Sequence, residues 1–428
     1  MVRPRPEDKA SDRFGFIPVS PVGVLNEETP RRILSAYEPA LAALGGVRWS
    51  QERFVSPAPL FYFLLSGGTE KEVLRLQHYR HQSTPGEPAL LLAHPGNNSL
   101  PAALEVLARL QQDEKPGRVF LLRSPEDEEG CRQIAQAVHD LEVGRALQHA
   151  RLGCIGEPSD WLVASSPNPA VVKDVWGPEV VAIGLGELTQ AVERVSADAV
   201  PGLAEALAER AVSRTTPSAA AVEKAIRVYV AVKRIARAQR LDALTVRCFD
   251  VVRDLQTTAC FALAQLNDEG IVAGCEGDLV STLGMLWARD LLGVTPWMAN
   301  PAQVDEVHNT LWLAHCTVPR TIVEDYRLRS HFESGLGVGI QGTLPRGPVT
   351  LLRIGGRKLN RIWLAEGRIL KAGQADNLCR TQAQIQLTAW SDVGELLRAP
   401  LGNHLVMVSG HHAARLGDWH QTMMIAVA

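Results

Sequence analysis

Leu266-Asn-Asp-Glu-Gly-Ile271-Val-Ala-Gly-Cys275-Glu276-Gly277-Asp278-Leu279-Val-Ser-Thr-Leu283-Gly-Met-Leu286 packs a strand and a helix into one short span. Ile271 to Cys275 is a short apolar run of the buried-strand type, and Leu279, Leu283 and Leu286 then recur on one face at helical spacing. Gly293 is placed to end that helix. The unit is βα, with Glu276 at the carboxyl end of its strand, framed by Gly274 and Gly277. In open α/β sheets that edge is where ligands bind, and a carboxylate there can hold a metal or move a proton. Spacing alone leaves two readings open. Either Glu276 serves a site, or Asp278 merely caps the helix while Glu276 lies in solvent.

The same alternation extends toward the N-terminus. After a polar leader to about Asp12, read as disordered, Phe14-Gly-Phe-Ile-Pro-Val-Ser is an apolar strand, and a helical pattern follows through Pro30 to Tyr37. Ala89 to His94 is a strand, Pro95-Gly-Asn97-Asn98-Ser a turn and Pro101 onward a helix; Arg118-Val-Phe-Leu-Leu begins another repeat. A second series reads as short buried strands at Arg151 to Gly156, Asp160 to Ser165 and Glu179 to Ile183. Thr216-Pro217 opens a long helix with Val222, Ala225, Ile226, Tyr229, Val232 and Ala236 on one face. From about Asn300 strands follow one another with few helices between, as in an antiparallel barrel or sandwich. The predicted architecture is α/β: two doubly wound α/β domains, residues 1–150 and 151–295, followed by a C-terminal antiparallel β-barrel-like domain, residues 296–428.

Composition narrows the function. The 44 basic and 47 acidic side chains leave a formal charge of -3, too small a field to draw in nucleic acid or an anionic membrane. No apolar run is long enough to span a membrane and the N-terminus carries no signal-like segment, so a cytoplasmic protein is expected. Seven scattered cysteines with no CxxC pair suggest reduced, buried thiols. Gly337, Gly339 and Gly342 match G-x-G-x-x-G, but Pro345 and Pro348 forbid the helix that a dinucleotide fingerprint needs. Turn glycines before a strand are the better reading.

Three ordered landmarks resemble the L-fucose and L-arabinose isomerase family. Cys275-Glu276-Gly277-Asp278 is similar to the segment carrying that family's metal-binding, catalytic glutamate. Trp297-Met-Ala299-Asn300 with Asn309 to His315-Cys316 resembles the region of the second acidic ligand and a histidine, and Leu401-Gly-Asn403-His404 is like the terminal histidine ligand. The likeness is strongest over residues 262–316 and 376–410. It implies a Mn²⁺-type sugar isomerase, with Co²⁺ or Mg²⁺ as alternatives. It also implies a metal set of Glu276, Asn300 and His404 with His315 nearby, and a homo-oligomer, trimer or hexamer, in which a neighbour helps to close the site.

The chain departs from the family where Ala299-Asn300 replaces the second carboxylate. An asparagine carbonyl can coordinate a hard cation but cannot act as a base. The base falls to Glu276, or to Asp278 if its loop turns inward. His411-His412 competes with His404 as terminal ligand; the fucose-type pattern favours His404. Cys275 and Cys316 are read as packing residues. Asn403, Asn97 and Asn98 are candidate contacts for sugar hydroxyls, and Ser330-His331-Phe332-Glu333-Ser334 either lines the cavity or caps the β domain. The leading expectation is an aldose-ketose isomerase working through an enediolate. Epimerisation or aldol cleavage on the same scaffold, or a non-catalytic sugar binder, are the alternatives.

Overall fold

The computed structural model describes residues 13–21, 28–209, 211–214 and 217–425. The leader to Asp12 and the proposed cap Thr216 lie outside them. Packing groups residues 146–418 into one compact unit; the described residues before 146, with those after 418, form a second.

In that second unit β1 (Phe14–Val19), β2 (Gly46–Arg48), β3 (Leu60–Leu64), β4 (Ala89–Ala93) and β5 (Gly117–Leu121) form a parallel sheet in the order 2-1-3-4-5. The strands are apolar on both faces because helices cover both. Phe14, Phe61, Phe63, Leu90 and Leu92 enter one buried cluster, and Tyr62, Leu64, Leu91 and Ala93 enter the other. Reversal of strand order between β1 and β3 leaves a crevice at their carboxyl ends.

The unit from 146 to 418 holds a second parallel sheet, built from β6 (Arg151–Ile155), β7 (Glu179–Ile183), β9 (Ala243–Val246) and β10 (Val272–Cys275) in the order 10-9-6-7. The short β8 (Ser213–Arg214) leaves it to pair elsewhere. The helix Ala219–Ala238 starts at Ser218, whose hydroxyl accepts from the Ala221 N–H at 3.2 Å, rather than at Thr216-Pro217. All six residues predicted for its apolar face are buried. The Asp160 to Ser165 strand does not form: the segment is a turn-rich loop that exposes Trp161 and Val163.

Downstream, β11 (Trp297–Asp305), β12 (Thr310–His315), β15 (Pro348–Gly355), β16 (Arg361–Ala372), β17 (Thr381–Leu387) and β18 (Leu405–Ser409) close a six-stranded antiparallel barrel in the order 11-12-17-16-15-18. A small sheet of β8, β13 (Asp325–Arg329) and β14 (Gly339–Thr343) accompanies it. Gly339 and Gly342 lie within β14, so the glycine-rich motif is part of a strand. Mixed α/β architecture with parallel sheets and a C-terminal antiparallel barrel is thus the form of the chain. The helix Leu279–Leu292, buried along most of its length, touches both the β10 sheet and the barrel strands β11, β15 and β18.

Candidate functional site

Glu276 follows β10 directly and takes a left-handed backbone, φ +62°, as does Gly277 at +72°. A Cβ on Gly277 would sit 2.7 Å from Pro158 Cα and 2.8 Å from the Glu157 carbonyl oxygen, so glycine is needed there. A non-glycine residue in this region is strained by about 1–3 kcal/mol, and such strain persists where the surroundings hold it. The hold on Glu276 is double. Its carbonyl accepts from Ser159 N at 2.9 Å, and its Oε2 accepts from the Trp161 indole N–H at 2.6 Å.

The other two members come from one end of the barrel. His315 ends β12 and His404 immediately precedes β18; β11 pairs with both strands through Asn300 opposite Ala314 and Ala299 opposite Leu405. One potential ligand atom each from Glu276, His315 and His404 lies within 4.8 Å of the others. The two imidazole rings are 5.7 Å apart. Both are buried, and Glu276 Oε1 lies 3.4 Å from His404 Nε2.

Asp278 is the residue that the structure most clearly reassigns. It caps the helix Leu279–Leu292 and is fully buried. Its Oδ1 accepts from Ser281 N at 2.8 Å; its Oδ2 accepts from Ser281 Oγ at 2.8 Å and meets His404 Nδ1 at 2.9 Å and Arg353 at 3.2 Å. Fully buried behind His404 and bonded to Ser281 and Arg353, Asp278 is placed to position those groups, which leaves Glu276 as the carboxylate of the three-residue cluster. Arg353 is itself buried and reaches Ser281 Oγ, Ser165 Oγ and the Leu401 carbonyl. Burial disfavours the Asp278 carboxylate, yet the charge of Arg353 and the bond from His404 keep it ionised, well below the usual range.

An ionised Asp278 fixes the proton of His404 on Nδ1 and aims Nε2 away from it, the carboxylate–histidine arrangement that commonly supports metal ligands. That Nε2 is buried and makes no hydrogen bond among the described residues. Burial pushes the ring's pKa down, but Asp278 and Glu276 outweigh this and raise it to about 9. Burial lowers His315 to about 4, so it is a neutral imidazole. Its Nδ1 is taken by Thr317 Oγ1 at 2.8 Å, leaving Nε2 as the nitrogen open to coordination. Burial raises Glu276, but His404, Trp161 and the nearby His315 hold its pKa below the ordinary value. One carboxylate, the neutral imidazole of His315 and the buried Nε2 of His404, which must give up its proton to an incoming ion, suit Mn²⁺, Co²⁺ or a similar divalent ion.

The remaining candidates are dispersed. Asn300 is half-buried; its Oδ1 accepts from Asn403 Nδ2 at 3.5 Å, at the same barrel end as the cluster. Asn97 and Asn98 belong to the other compact unit. There they help to line a cavity of about 510 Å³ with Ser66, Gly67 and Gly68, and both have left-handed backbones. His411 and His412 bond to the Gly367 and Ser409 carbonyls and are not in the cluster, which leaves His404 as the histidine beside Glu276. Cys275 and Cys316 are buried, and Cys275 Sγ contacts Cys248 Sγ at 3.2 Å.

Sequence reading missed Trp161 and Arg353. Trp161 was assigned to a buried strand, although it is half-exposed in a loop and packs edge-to-face on Phe249 at 5.1 Å, which in turn meets His331 at 5.9 Å. His331, left undecided by sequence, therefore lines the wall that leads to Glu276. Arg353 carried one signal: an arginine in the otherwise apolar run Pro348 to Ile354, where a buried charge needs a partner.

Fold and cluster together define a class: an α/β protein with a barrel, carrying a half-buried glutamate and two buried histidines where a sheet edge meets the barrel end. Within that class, the chain is similar to the sulfoquinovose isomerases of Priestia aryabhattai and Priestia megaterium, 22% identical over 308 residues, covering 70% of this chain and 69% of theirs. It is similar as well to the sulfoquinovose isomerase of a Clostridium species, 22% identical over 282 residues, covering 62% of this chain and 61% of that one. No family profile matches the chain. Among solved structures, D-threo-3-hydroxyaspartate dehydratase from Delftia sp. HT23 aligns at 12% identity over 94% of this chain and 84% of that one, with a TM-score of 0.13, too low to bear on the fold. No helix of the described residues is long and apolar enough to cross a membrane.

Proposed function

We propose that this protein is a metal-dependent aldose-ketose isomerase of a small sugar, with Glu276, His315 and His404 as its metal ligands and Asn300 and Asn403 at the rim of the site. The observation that carries the reading is the buried, unbonded His404 Nε2 facing Glu276, held from behind by Asp278, in a chain similar to sulfoquinovose isomerases. Sulfoquinovose is accordingly the first substrate to test. Mn²⁺ is the first ion to test; a homo-oligomer and a cytoplasmic location belong to the same proposal.

A divalent ion held by Glu276, His315 and His404 would supply an electrophile for negative charge on the sugar's oxygens. Glu276 takes the proton from C2 of the aldose and returns it to C1, while the hydroxyl proton passes from O2 to O1, so atoms and charge balance. Trp161 holds Glu276 Oε2 and limits the swing of the carboxylate. Asp278 keeps His404 in one tautomer and one orientation. Trp161, Phe249 and His331 present an aromatic wall beside the carboxylate, suited to the C–H face of a sugar.

Product analysis after incubation of the Mn²⁺-loaded protein with sulfoquinovose and a panel of aldoses tests this directly. Ketose formation that falls by a thousandfold or more in Glu276→Gln is the expected result. Epimer or cleavage products would replace the isomerase reading by one of the other enediolate reactions. Absence of turnover with any metal would overturn it.

A further inference from the structure

We propose that Arg329 and Arg380 form a subsite for the terminal anionic group, a sulfonate or a phosphate, of the sugar handled at Glu276, His315 and His404. This rests on the isomerase reading above. Arg380 directly precedes Thr381, whose Cα lies opposite His315 in the pairing of β12 with β17, and its backbone N–H donates to Cys316 Sγ at 3.4 Å. Arg329 is the last residue of β13. The loop that follows ties the pair to the metal cluster. Its Ser330 carbonyl accepts from Arg380 Nε at 2.7 Å, and the next residue, His331, meets Phe249 edge-to-face, which in turn meets Trp161 and so Glu276.

The charges around this pair do not balance. Asp376 is the carboxylate that both guanidinium groups share, at 3.1 Å from Arg329 and 3.9 Å from Arg380, and its side chain is 84% exposed. Arg329 Nε is buried without a hydrogen-bond partner, and its other contact is Gln341 Oε1 at 3.3 Å. Burial and the neighbouring Arg329 charge both disfavour charge on Arg380.

Two other buried or half-buried arginine groups are closed by comparison. Arg80 and Arg145 also share one carboxylate, Glu87, but that side chain is only 9% exposed and Arg80 is further saturated by three backbone carbonyls. Arg247 faces two carboxylates, Asp160 and Asp250. At Arg329 and Arg380 a solvent-borne carboxylate covers two cations, and swinging it aside leaves adjacent forks for a tetrahedral oxyanion.

Titration calorimetry of the Mn²⁺-loaded full-length protein with sulfoquinovose, glucose 6-phosphate and glucose separates the outcomes, with turnover followed in the same preparations. Arg329→Gln should weaken the anionic sugar about tenfold to a hundredfold and leave glucose unchanged. Arg329→Lys should recover part of the loss, and Asp376→Asn, which removes the competing carboxylate, should tighten anionic sugars. Of the two anions, the one bound more tightly by wild type identifies the group. Arg329→Gln weakening all three sugars alike, or none, would overturn the subsite, as would wild type binding no anionic sugar better than glucose. Arg329-dependent binding without any turnover would leave the subsite standing and remove the isomerase reading.

Discussion

Two buried histidines follow or precede strands at sheet ends in the two compact units, and they are wired in opposite ways. His94, after β4, donates from Nε2 to the Leu65 carbonyl at 3.1 Å and accepts at Nδ1 from Gly96 N at 3.1 Å. Both nitrogens are satisfied by backbone, burial lowers its pKa, and aromatic rings of Tyr37 and Phe63 pack around it. His404, before β18, has the Asp278 carboxylate on Nδ1, while its Nε2 makes no hydrogen bond and faces Glu276 Oε1 at 3.4 Å. A saturated imidazole holds a turn together; one oriented from behind and open in front is built to bind. Burial alone does not distinguish them, since both are almost fully enclosed.

The largest effect expected from breaking this contrast is at Asp278. Asp278→Asn removes the charge that orients His404 and leaves Arg353 buried beside a neutral amide. Metal affinity should fall about tenfold to a hundredfold and stability by about 3–5 kcal/mol, read by competitive chelation and urea denaturation. Unchanged affinity in a folded variant would mean that His404 needs no support from behind.

Proton competition sharpens the same contrast. In the metal-free chain His404 is raised from 6.5 to about 9. Folded protein therefore binds this proton more tightly than the unfolded chain, so the stabilisation is complete below about pH 6.5 and disappears as pH rises through about 9. An incoming ion must displace that proton, so apparent affinity should climb about tenfold per pH unit and flatten above pH 9, while His404→Ala loses the slope. A flat profile in wild type would remove His404 from the ligand set.

A smaller change is expected at Trp161. Trp161→Phe keeps the ring and deletes the N–H on Glu276 Oε2. Loss of one hydrogen bond to a charged group should lower kcat by about tenfold with little effect on the fold; equal loss of kcat in Trp161→Phe and Trp161→Ala would assign the role to the N–H, not to the ring. The smallest effect on metal is at His94. His94→Gln should cost about 1–3 kcal/mol of stability and leave metal content untouched.

Much of the fold was legible because its elements are strongly patterned. Ala89 to Ala93 and Val272 to Cys275 are continuous apolar runs that became parallel strands, and the face from Val222 to Ala236 is buried as its spacing required. Asp160 to Ser165 forms no strand for a physical reason: Leu162 is buried, but Trp161 and Val163 are exposed and Trp161 is engaged in holding Glu276, so a run of apolar residues did not mean a buried strand. Spacing left Asp278 either cap or site residue, and the structure makes it both a cap and the support of His404. That dual role was unreadable because His404 lies 126 positions away, as was the pairing of Arg353 with Asp278 across 75. Long-range partners of polar groups are set by the closure of the barrel, which local sequence does not encode.

The most direct test is elemental analysis of the purified wild type, His404→Ala and His94→Gln after dialysis against Mn²⁺ and removal of free ion. Near-stoichiometric metal in wild type and His94→Gln, with none retained by a folded His404→Ala, is what the account predicts. Equal metal in wild type and His404→Ala, or none in the folded wild type at any supplement, would contradict it.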